Sequence, residues 1–332
     1  MPLIRHLFVP GLFGPVSAYE PLQWPPVPRL ETVLARADRA VEAPGYASGL
    51  LQLFGIVAEQ GADLPTAALA LLGDTGERPP GYVFHADPLQ LLPDRDQLLA
   101  FPLDDDPLDD AEIGALVAAF NAHFGVDGVR LQGSASGRLY LHCDAVPALR
   151  TYPLSEILGR NLDHCLPEGE DRRHWRGLLN ETQMLCYGLD LNREREARGR
   201  PVLGGLWFSG GGTLPATVQP LASRVDGDCA LARGLVSLGG GPGDAELFVE
   251  RALETAVMRG DTAAWLRALT DLEGRLPKLL DGASLHLHAG EGSVFHWHAR
   301  SARRWWRRRR SLAGYVEQDQ VAGRGLRSDI GL

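Results

Sequence analysis

The stretch from residue 178 to residue 215 most constrains the fold, because it predicts three elements in a fixed order. Apolar residues recur at helical spacing over residues 178–189, which predicts an amphipathic helix. The apolar run Leu203–Phe208 predicts a buried strand, and Gly210–Gly212 predict a loop directly after it. Ligands of open α/β sheets bind outside the carboxyl ends of the strands, so this stretch predicts the edge of a binding site.

A short charged segment separates the predicted helix from the predicted strand. Asn192 stands at an N-cap position, and Gly199 and Pro201 end the segment. Arg195 lies inside it. The segment therefore predicts a helical turn that carries polar side chains next to the binding edge.

The ordered polar, glycine and aromatic positions of this stretch resemble a segment of archaeal-type cofactor-independent phosphoglycerate mutases. They resemble still more closely the bacterial RpfE-type regulatory proteins. The positions that carry the resemblance are Asn192, Arg195, Gly199, Pro201, Trp207, Gly210, Gly212 and Pro215. The resemblance implies an α/β fold with a three-layer alkaline-phosphatase-like core sheet, formed by residues 1–81 and 155–332, and a small inserted α+β domain at residues 82–154.

Residues 82–154 also carry local signals for such an insert. Asp109–Phe124 predicts an amphipathic helix with acidic residues in its first turn, where the helix dipole favours them. Gly128–Gln132 and Arg138–Cys143 predict two strands that follow it. Arg138 matches an arginine of the mutase insert that faces anionic substrate groups, although a surface arginine on a hairpin gives the same pattern.

The resemblance implies an anionic ligand held by Arg138, Asn192, Arg195, Gly210, Gly211 and Gly212. Such a role is chemically sensible because a guanidinium group binds phosphate or carboxylate through two hydrogen bonds. If Asn192 and Arg195 line this site, Arg195→Ala should abolish stabilisation by the ligand without unfolding the protein.

The metal ligands of the alkaline-phosphatase-like enzymes are mostly missing. Phosphoryl transfer in that class uses two divalent cations, and each cation needs several carboxylate or imidazole ligands. Where the resemblance places those ligands, this chain has Pro10, Ser48, Asp261 without a histidine, and Glu291. The leading hypothesis is therefore a catalytically degenerate, mutase-like regulatory protein that needs no cofactor and recognises an anionic small molecule or a protein partner.

A histidine-rich hairpin at residues 285–298 supports a rival hypothesis. Two alternating strands flank Gly290–Gly292. A two-residue loop puts His286 and His288 on the face opposite His296 and His298, whereas a three-residue loop puts all four on one face as an imidazole site. Simple alternation of a polar face and a core face also explains the pattern.

The rival hypothesis is an active 2,3-bisphosphoglycerate-independent phosphoglycerate mutase or phosphatase with a rearranged metal site. Manganese, zinc or magnesium would be bound by His85, Asp87, Glu291 and the histidine hairpin. The proposed metal ligands of the hairpin are His286, His288, Glu291, His296 and His298.

A basic run with two tryptophans predicts a contact with an anionic partner or a solvated edge. Its members are Arg303, Arg304, Trp305, Trp306, Arg307 and Arg308. The formal net charge of −9 argues against general nucleic-acid binding. A nucleic-acid-binding regulator is therefore a third hypothesis that rests on this run alone.

The cysteines and the hydropathy indicate the compartment. The four cysteines are widely spaced and form no CxxC motif, which predicts reduced, mostly buried thiols. No apolar run approaches the ~20 residues that span a bilayer. These features predict a cytoplasmic protein without a membrane span.

Overall fold

A computed structural model describes residues 3–14, 24–57, 62–95, 97–103, 106–241, 243–290 and 292–315. Contacts within the chain divide it into two compact units. The first unit comprises Met1–Ile56, Gln219–Asp228 and Gly239–Leu332, and the second comprises Val57–Val218 and Cys229–Leu238. The protein is a mixed α/β protein, as the sequence predicts.

The strands, in chain order, are β1 (Leu3–Phe8), β2 (Asp38–Val41), β3 (Tyr82–Asp94), β4 (Gln97–Pro102), β5 (Val129–Gly133), β6 (Leu139–Cys143), β7 (Leu149–Arg150), β8 (Glu168–Gly169), β9 (Gly205–Thr213), β10 (Ala222–Asp226), β11 (Ala245–Val249), β12 (Ala283–His288) and β13 (Ser293–Trp297). The helices are α1 (Pro28–Arg36), α2 (Tyr46–Leu53), α3 (Thr66–Thr75), α4 (Asp110–Phe124), α5 (Leu154–Ile157), α6 (Arg172–Gly188), α7 (Asp190–Ala197), α8 (Ala230–Gly239), α9 (Ala252–Arg259) and α10 (Thr262–Leu280).

The first unit is built on a six-stranded sheet with the order β10-β11-β1-β12-β13-β2. The strands from β10 to β12 are parallel, and β13 and β2 add antiparallel pairs at one edge. Successive side chains of a strand point to opposite faces. Leu7, Leu285 and Leu287 therefore share one face, where they join a core with Leu269 and Leu272 of α10.

The second unit contains a five-stranded antiparallel sheet with the order β4-β3-β6-β5, in which β9 also pairs with β3. Helix α4 begins at a capping box: Asp109 Oδ1 accepts from the Glu112 amide, and Glu112 Oε2 accepts from the Asp109 amide, both at 2.9 Å. Phe120 and Trp175, from α4 and α6, pack with Phe208 of β9 in one core cluster. The predicted helix and two strands of residues 109–143 are confirmed, with each boundary within one residue of its predicted position.

The division into units differs from the boundaries that the sequence predicts at residues 82 and 154. Strand β9 pairs with β3 from Leu89↔Gly205 to Tyr82↔Thr213. Residues 205–213, assigned to the core domain by the resemblance, thus lie in the same sheet as residues 82–89. Local patterns could not show this, because the pairing joins segments more than a hundred residues apart.

The structure bears on two expectations drawn from the composition, which concern the cysteines and membrane-spanning segments. Cys143, Cys165, Cys186 and Cys229 are buried thiols, as the sequence predicts. Within the described ranges, the structure contains no helix with the length and apolar character that crossing a membrane requires.

Candidate functional site

The hairpin of β12 and β13 brings its histidines to one face of the first unit's sheet. His286 stands opposite His296, and His288 stands opposite Val294. The Ala289 amide also donates to the Ser293 carbonyl at 3.2 Å, which continues this pairing, so the register is that of the three-residue loop. His298 follows β13, and its Nδ1 lies 3.2 Å from Ser284 Oγ on β12.

His6 and Glu42 join this group, although the sequence analysis did not select them. His6 lies opposite His286 in the parallel pairing of β1 with β12. Its Nδ1 is 3.1 Å from Nε2 of His288, whose Nδ1 is 2.5 Å from Oε2 of Glu42. In the sequence, His6 stands out as a polar residue within a largely apolar strand, which could have indicated a role in the site. No feature of the sequence near Glu42 indicated such a role. We call His6, His286, His288, His296, His298 and Glu42 the histidine face.

The imidazole rings of the histidine face pack against one another. The His286 ring centroid is 4.2 Å from that of His296 and 4.9 Å from that of His6. Phe8 stacks on His288 with centroids 4.1 Å apart. Only 5% of His6 and 2% of His288 is exposed, so these rings are shielded from solvent.

Burial controls the charge of the histidine face. Desolvation, assisted by the neighbouring histidines, lowers the pKa of His6, His286 and His288 from 6.5 to about 3. Desolvation also raises the pKa of Glu42 from 4.5 to about 7. The three imidazoles are therefore neutral at physiological pH, with lone pairs available to a proton or a cation.

These shifts predict an acid-sensitive fold. Between pH 3 and 6.5 the unfolded chain binds more protons at His6, His286 and His288 than the folded protein does, so their contribution to stability is lost as pH falls. Glu42 acts in the opposite sense, because its raised pKa stabilises the fold at low pH and this contribution is lost as pH rises from 4.5 towards 7. Below pH 6.5 the stability lost through the three histidines exceeds the stability contributed by Glu42, so the net stability of the fold decreases as pH falls.

We expect the urea midpoint of metal-stripped protein to rise between pH 4 and 6.5, and His286→Asn to reduce that slope. The exposed His123 provides the control, because His123→Gln should leave the slope unchanged. If the urea midpoint rises equally steeply with pH in the wild type, His286→Asn and His123→Gln, the histidine face is not the origin of the acid sensitivity.

The histidine face contains the types of ligand that zinc and similar cations prefer, but its described side chains are not arranged around one metal position. Imidazole nitrogen and carboxylate oxygen both bind zinc. Among the described residues, however, no three His, Cys, Asp or Glu side chains are placed to hold one metal ion together. Glu291, which the sequence analysis assigned to this site, lies outside the described residues.

Asn192, which the sequence analysis expected at an anion site, makes its hydrogen bonds inside the protein. It lies inside α7 and is not its N-cap. Its Nδ2 donates to the carbonyls of Cys186 and Leu203, both at 2.8 Å, and its Oδ1 accepts from the Leu203 amide at 2.7 Å. Asn192 thus joins the end of α6 to the segment that leads into β9.

Arg195 is also structural, because its guanidinium is fully buried. Its Nε donates to the Pro201 carbonyl at 2.6 Å, its Nη1 to Glu112 Oε2 at 2.7 Å, and its Nη2 to the Asp106 carbonyl at 2.5 Å. The pattern that resembled a ligand-binding arginine is an internal connection between α7, α4 and the preceding loop.

The glycines expected in a binding loop lie within strand β9 instead. Gly210 has φ +62, and a side chain there would meet Thr66. A Cβ at Gly211 would meet Phe84, and one at Gly212 would meet Pro65. Close packing on both sides of the strand therefore accounts for these glycines.

Arg138 pairs with a protein carboxylate. Its Nη1 lies 2.9 Å from Asp74 Oδ1, and Asp74 also accepts from Tyr140 Oη at 2.7 Å and from Arg233 Nη2 at 3.1 Å. Burial alone would raise the pKa of Asp74, but hydrogen bonds from Tyr140, Ser136 and Arg138 lower it below its usual value. This network joins α3, β6 and α8.

The other two candidates of the rival metal site lie on β3 in the second unit. His85 stands opposite Ser209 of β9, and Asp87 stands opposite Trp207. The histidine face belongs to the first unit, so the residues of the rival metal site are divided between the two units.

Two arginines of the basic run form hydrogen bonds with other parts of the protein. Arg304 donates to both carboxylate oxygens of Asp38, at 2.6 and 2.8 Å, and Arg307 donates to the Ala37 carbonyl at 2.8 Å. Trp305 and Trp306 are 77% and 64% exposed. Arg303 and Arg308 are exposed as well, and the segment forms a short 3-10 turn followed by irregular structure rather than an edge strand.

Comparison with solved structures finds similarity over most of the chain. One match is a cofactor-independent phosphoglycerate mutase from Thermoplasma acidophilum DSM 1728, with 15% identity, a TM-score of 0.37 and coverage of 90% of each chain. Another is the PH0037 protein from Pyrococcus horikoshii, with 12% identity, a TM-score of 0.46 and coverage of 89% of this chain and 87% of that one. No protein-family model and no curated protein matches the sequence.

Proposed function

We propose that the histidine face binds a divalent transition-metal ion of the zinc class. The observation that carries the proposal is the row His6, His286 and His296 across three adjacent strands, with His288 bonded to Glu42 beside it. Neutral imidazoles bind zinc-class cations well, whereas magnesium prefers oxygen ligands.

The hydrogen-bond chain supports different roles for these residues at the proposed site. With Glu42 ionised, His288 donates from Nδ1 to Glu42 and accepts at Nε2 from His6 Nδ1. That arrangement leaves the His6 Nε2 lone pair available. Carboxylate–histidine pairs of this kind orient ligands around metal ions. His6, His286 and His296 would therefore hold the ion after adjustment of their rings, and His288 and Glu42 would position His6.

Metal binding should be visible in two independent measurements, thermal unfolding and cobalt absorption. We expect zinc to raise the unfolding temperature of metal-stripped protein, since a site filled at a hundred times its Kd adds about 2.7 kcal/mol. Cobalt should bind with a visible d–d absorption band, and magnesium should have little effect because imidazole suits it poorly. His286→Asn combined with His296→Asn should remove the zinc response and the cobalt band.

The exposed His174 in α6 supplies the matched control, because His174→Asn should preserve both responses. If zinc gives no shift and cobalt no band in the wild-type protein, the proposal is wrong.

Two roles for a metal-binding protein of this kind remain as proposals from the sequence resemblance. One is metal-dependent mutase or phosphatase chemistry, for which a bound ion supplies a Lewis acid. The other is a catalytically degenerate regulatory role with an anionic metabolite or a protein partner. Turnover of 3-phosphoglycerate or a simple phosphate monoester by the zinc-loaded protein, lost in the double histidine variant, would favour the first role. A nucleic-acid role through the basic run predicts binding that weakens steeply with salt.

A further inference from the structure

A cavity in the first unit lies apart from the histidine face, between strands β1, β11 and β10 and the C-terminal end of α10. Its volume is about 260 Å³. The charged residues that line it are Arg5, Arg224, Asp226, Glu246, Arg275 and Lys278. Leu247, Phe248 and Leu279 provide its apolar surface. We propose that this cavity binds a small organic anion, with a phosphate or carboxylate head and an apolar body.

Two of the cationic side chains have internal roles. Arg5 donates from Nε to Glu246 Oε2 at 2.8 Å, and its Nη1 donates to the carbonyls of Lys278, Leu279 and Asp281. Arg5 thus caps the C-terminal end of α10, where the helix dipole favours a cation. Arg275 pairs with Glu250.

Arg224 and Lys278 have no such role. Neither side chain has a hydrogen bond or ion pair to any part of the protein that the structure describes, and both are exposed at the cavity. With Arg5 and Arg275 beside them and only Asp226 and Glu246 opposing, the lining carries more positive than negative charge. An anion that bridges Arg224 and Lys278 would therefore meet two donors whose hydrogen bonds are not already used in the protein.

The size and the apolar surface restrict the ligand further. Sites for drug-sized ligands measure ~300–1,000 Å³, so this cavity suits a smaller molecule. Phe248 and Leu279 offer surface to an apolar body, which a bare inorganic ion lacks. The expected ligand class is a small phosphate monoester or carboxylic acid with an apolar part.

The cavity and the histidine face are independent because they use opposite faces of β1. Arg5 and His6 are adjacent in the strand, so their side chains point to opposite sides of the sheet. Binding in the cavity is therefore tested in the presence of a chelator, which removes any contribution from a metal ion.

Calorimetric titration of metal-free protein tests the proposal with phenyl phosphate, phenylacetate, inorganic phosphate and benzyl alcohol. We expect phenyl phosphate or phenylacetate to bind more tightly than inorganic phosphate or benzyl alcohol, and the better of the two identifies the head group. Arg224→Gln combined with Lys278→Gln should weaken that binding by at least about tenfold, since the change removes two charged hydrogen-bond donors to the anion.

Arg267→Gln is the matched control, because Arg267 lies exposed on the same helix away from the cavity. It should leave the affinity unchanged. The proposal is overturned if neither organic anion binds, if inorganic phosphate binds equally well, or if the double variant and the control bind alike. Because Arg224 and Lys278 are exposed, their replacement should leave the unfolding midpoint near that of the wild type, which separates lost binding from lost folding.

Discussion

Arg195→Met is expected to destabilise the second unit by about 3–5 kcal/mol, the cost of breaking a buried ion pair by removing one of its partners. The variant keeps much of the aliphatic stem but removes the group that Glu112 and the carbonyls of Pro201 and Asp106 require. Glu112, with 11% of its side chain exposed, would lose its shortest ion pair and keep the longer contact of 3.3 Å with Arg200 Nη1. Urea unfolding measures the loss, and hydrogen exchange of the β9 amides assigns it to this unit.

Arg198 offers the matched control on the neighbouring turn. Its Nη2 lies 3.5 Å from Glu194 Oε2, and 62% of its side chain is exposed. Solvent screens such a pair, so Arg198→Met should change stability by at most ~1 kcal/mol. If the two variants lose similar stability, Arg195 is not the internal connection described above. A stable Arg195→Met protein that had lost its response to an anion would restore the expectation drawn from the sequence.

Gly234→Ala is expected to destabilise the second unit by about 3 kcal/mol or more, because the added methyl group overlaps backbone that cannot move aside. A Cβ at Gly234 in α8 would collide with the carbonyl oxygen of Leu69 in α3, and one at Gly73 would collide with that of Ala230. The two glycines face each other where the helices cross. Urea unfolding measures the loss, and Gly73→Ala should give a loss of similar size.

Gly114→Ala in α4 should have the opposite sign. Nothing lies within 4 Å of a Cβ at Gly114, and the residue is exposed in the same unit. Alanine there should stabilise the protein by about 0.5–1 kcal/mol through helix propensity and a less flexible unfolded chain. A stabilised Gly234→Ala variant would show that the two helices can separate without cost.

The histidine face shows how far a local pattern predicts a site. Strand alternation and the spacing of His286, His288, His296 and His298 left two arrangements, which differed in the length of the connecting loop. The structure has the register of the three-residue loop. The sequence therefore defined the hairpin and its alternatives, but strand pairing decided which side chains share a face.

The residues expected at an anion site show what the same reasoning leaves open. Asn192 and Arg195 are polar residues next to glycines and a buried strand, a pattern typical of a binding edge. Their partners, among them Glu112 and Leu203, satisfy these side chains inside the protein. A sequence motif does not reveal whether a polar group is bound by a ligand or by the chain itself.

The sequence by itself determined the local elements of this protein. The acidic first turn and apolar stripe of α4, the strands β5 and β6, and the histidine hairpin all follow from side-chain periodicity and turn residues. These signals act between neighbours in the chain, where backbone geometry alone brings the groups together.

Only the tertiary structure decided the division into units, the addition of His6 and Glu42 to the histidine face, and the cavity beside Arg224 and Lys278. Each depends on contacts between segments that are distant in the chain, such as β1 with β12 or β3 with β9. Those contacts are selected by burial and hydrogen bonding summed over the whole fold, which no single stretch of the sequence encodes.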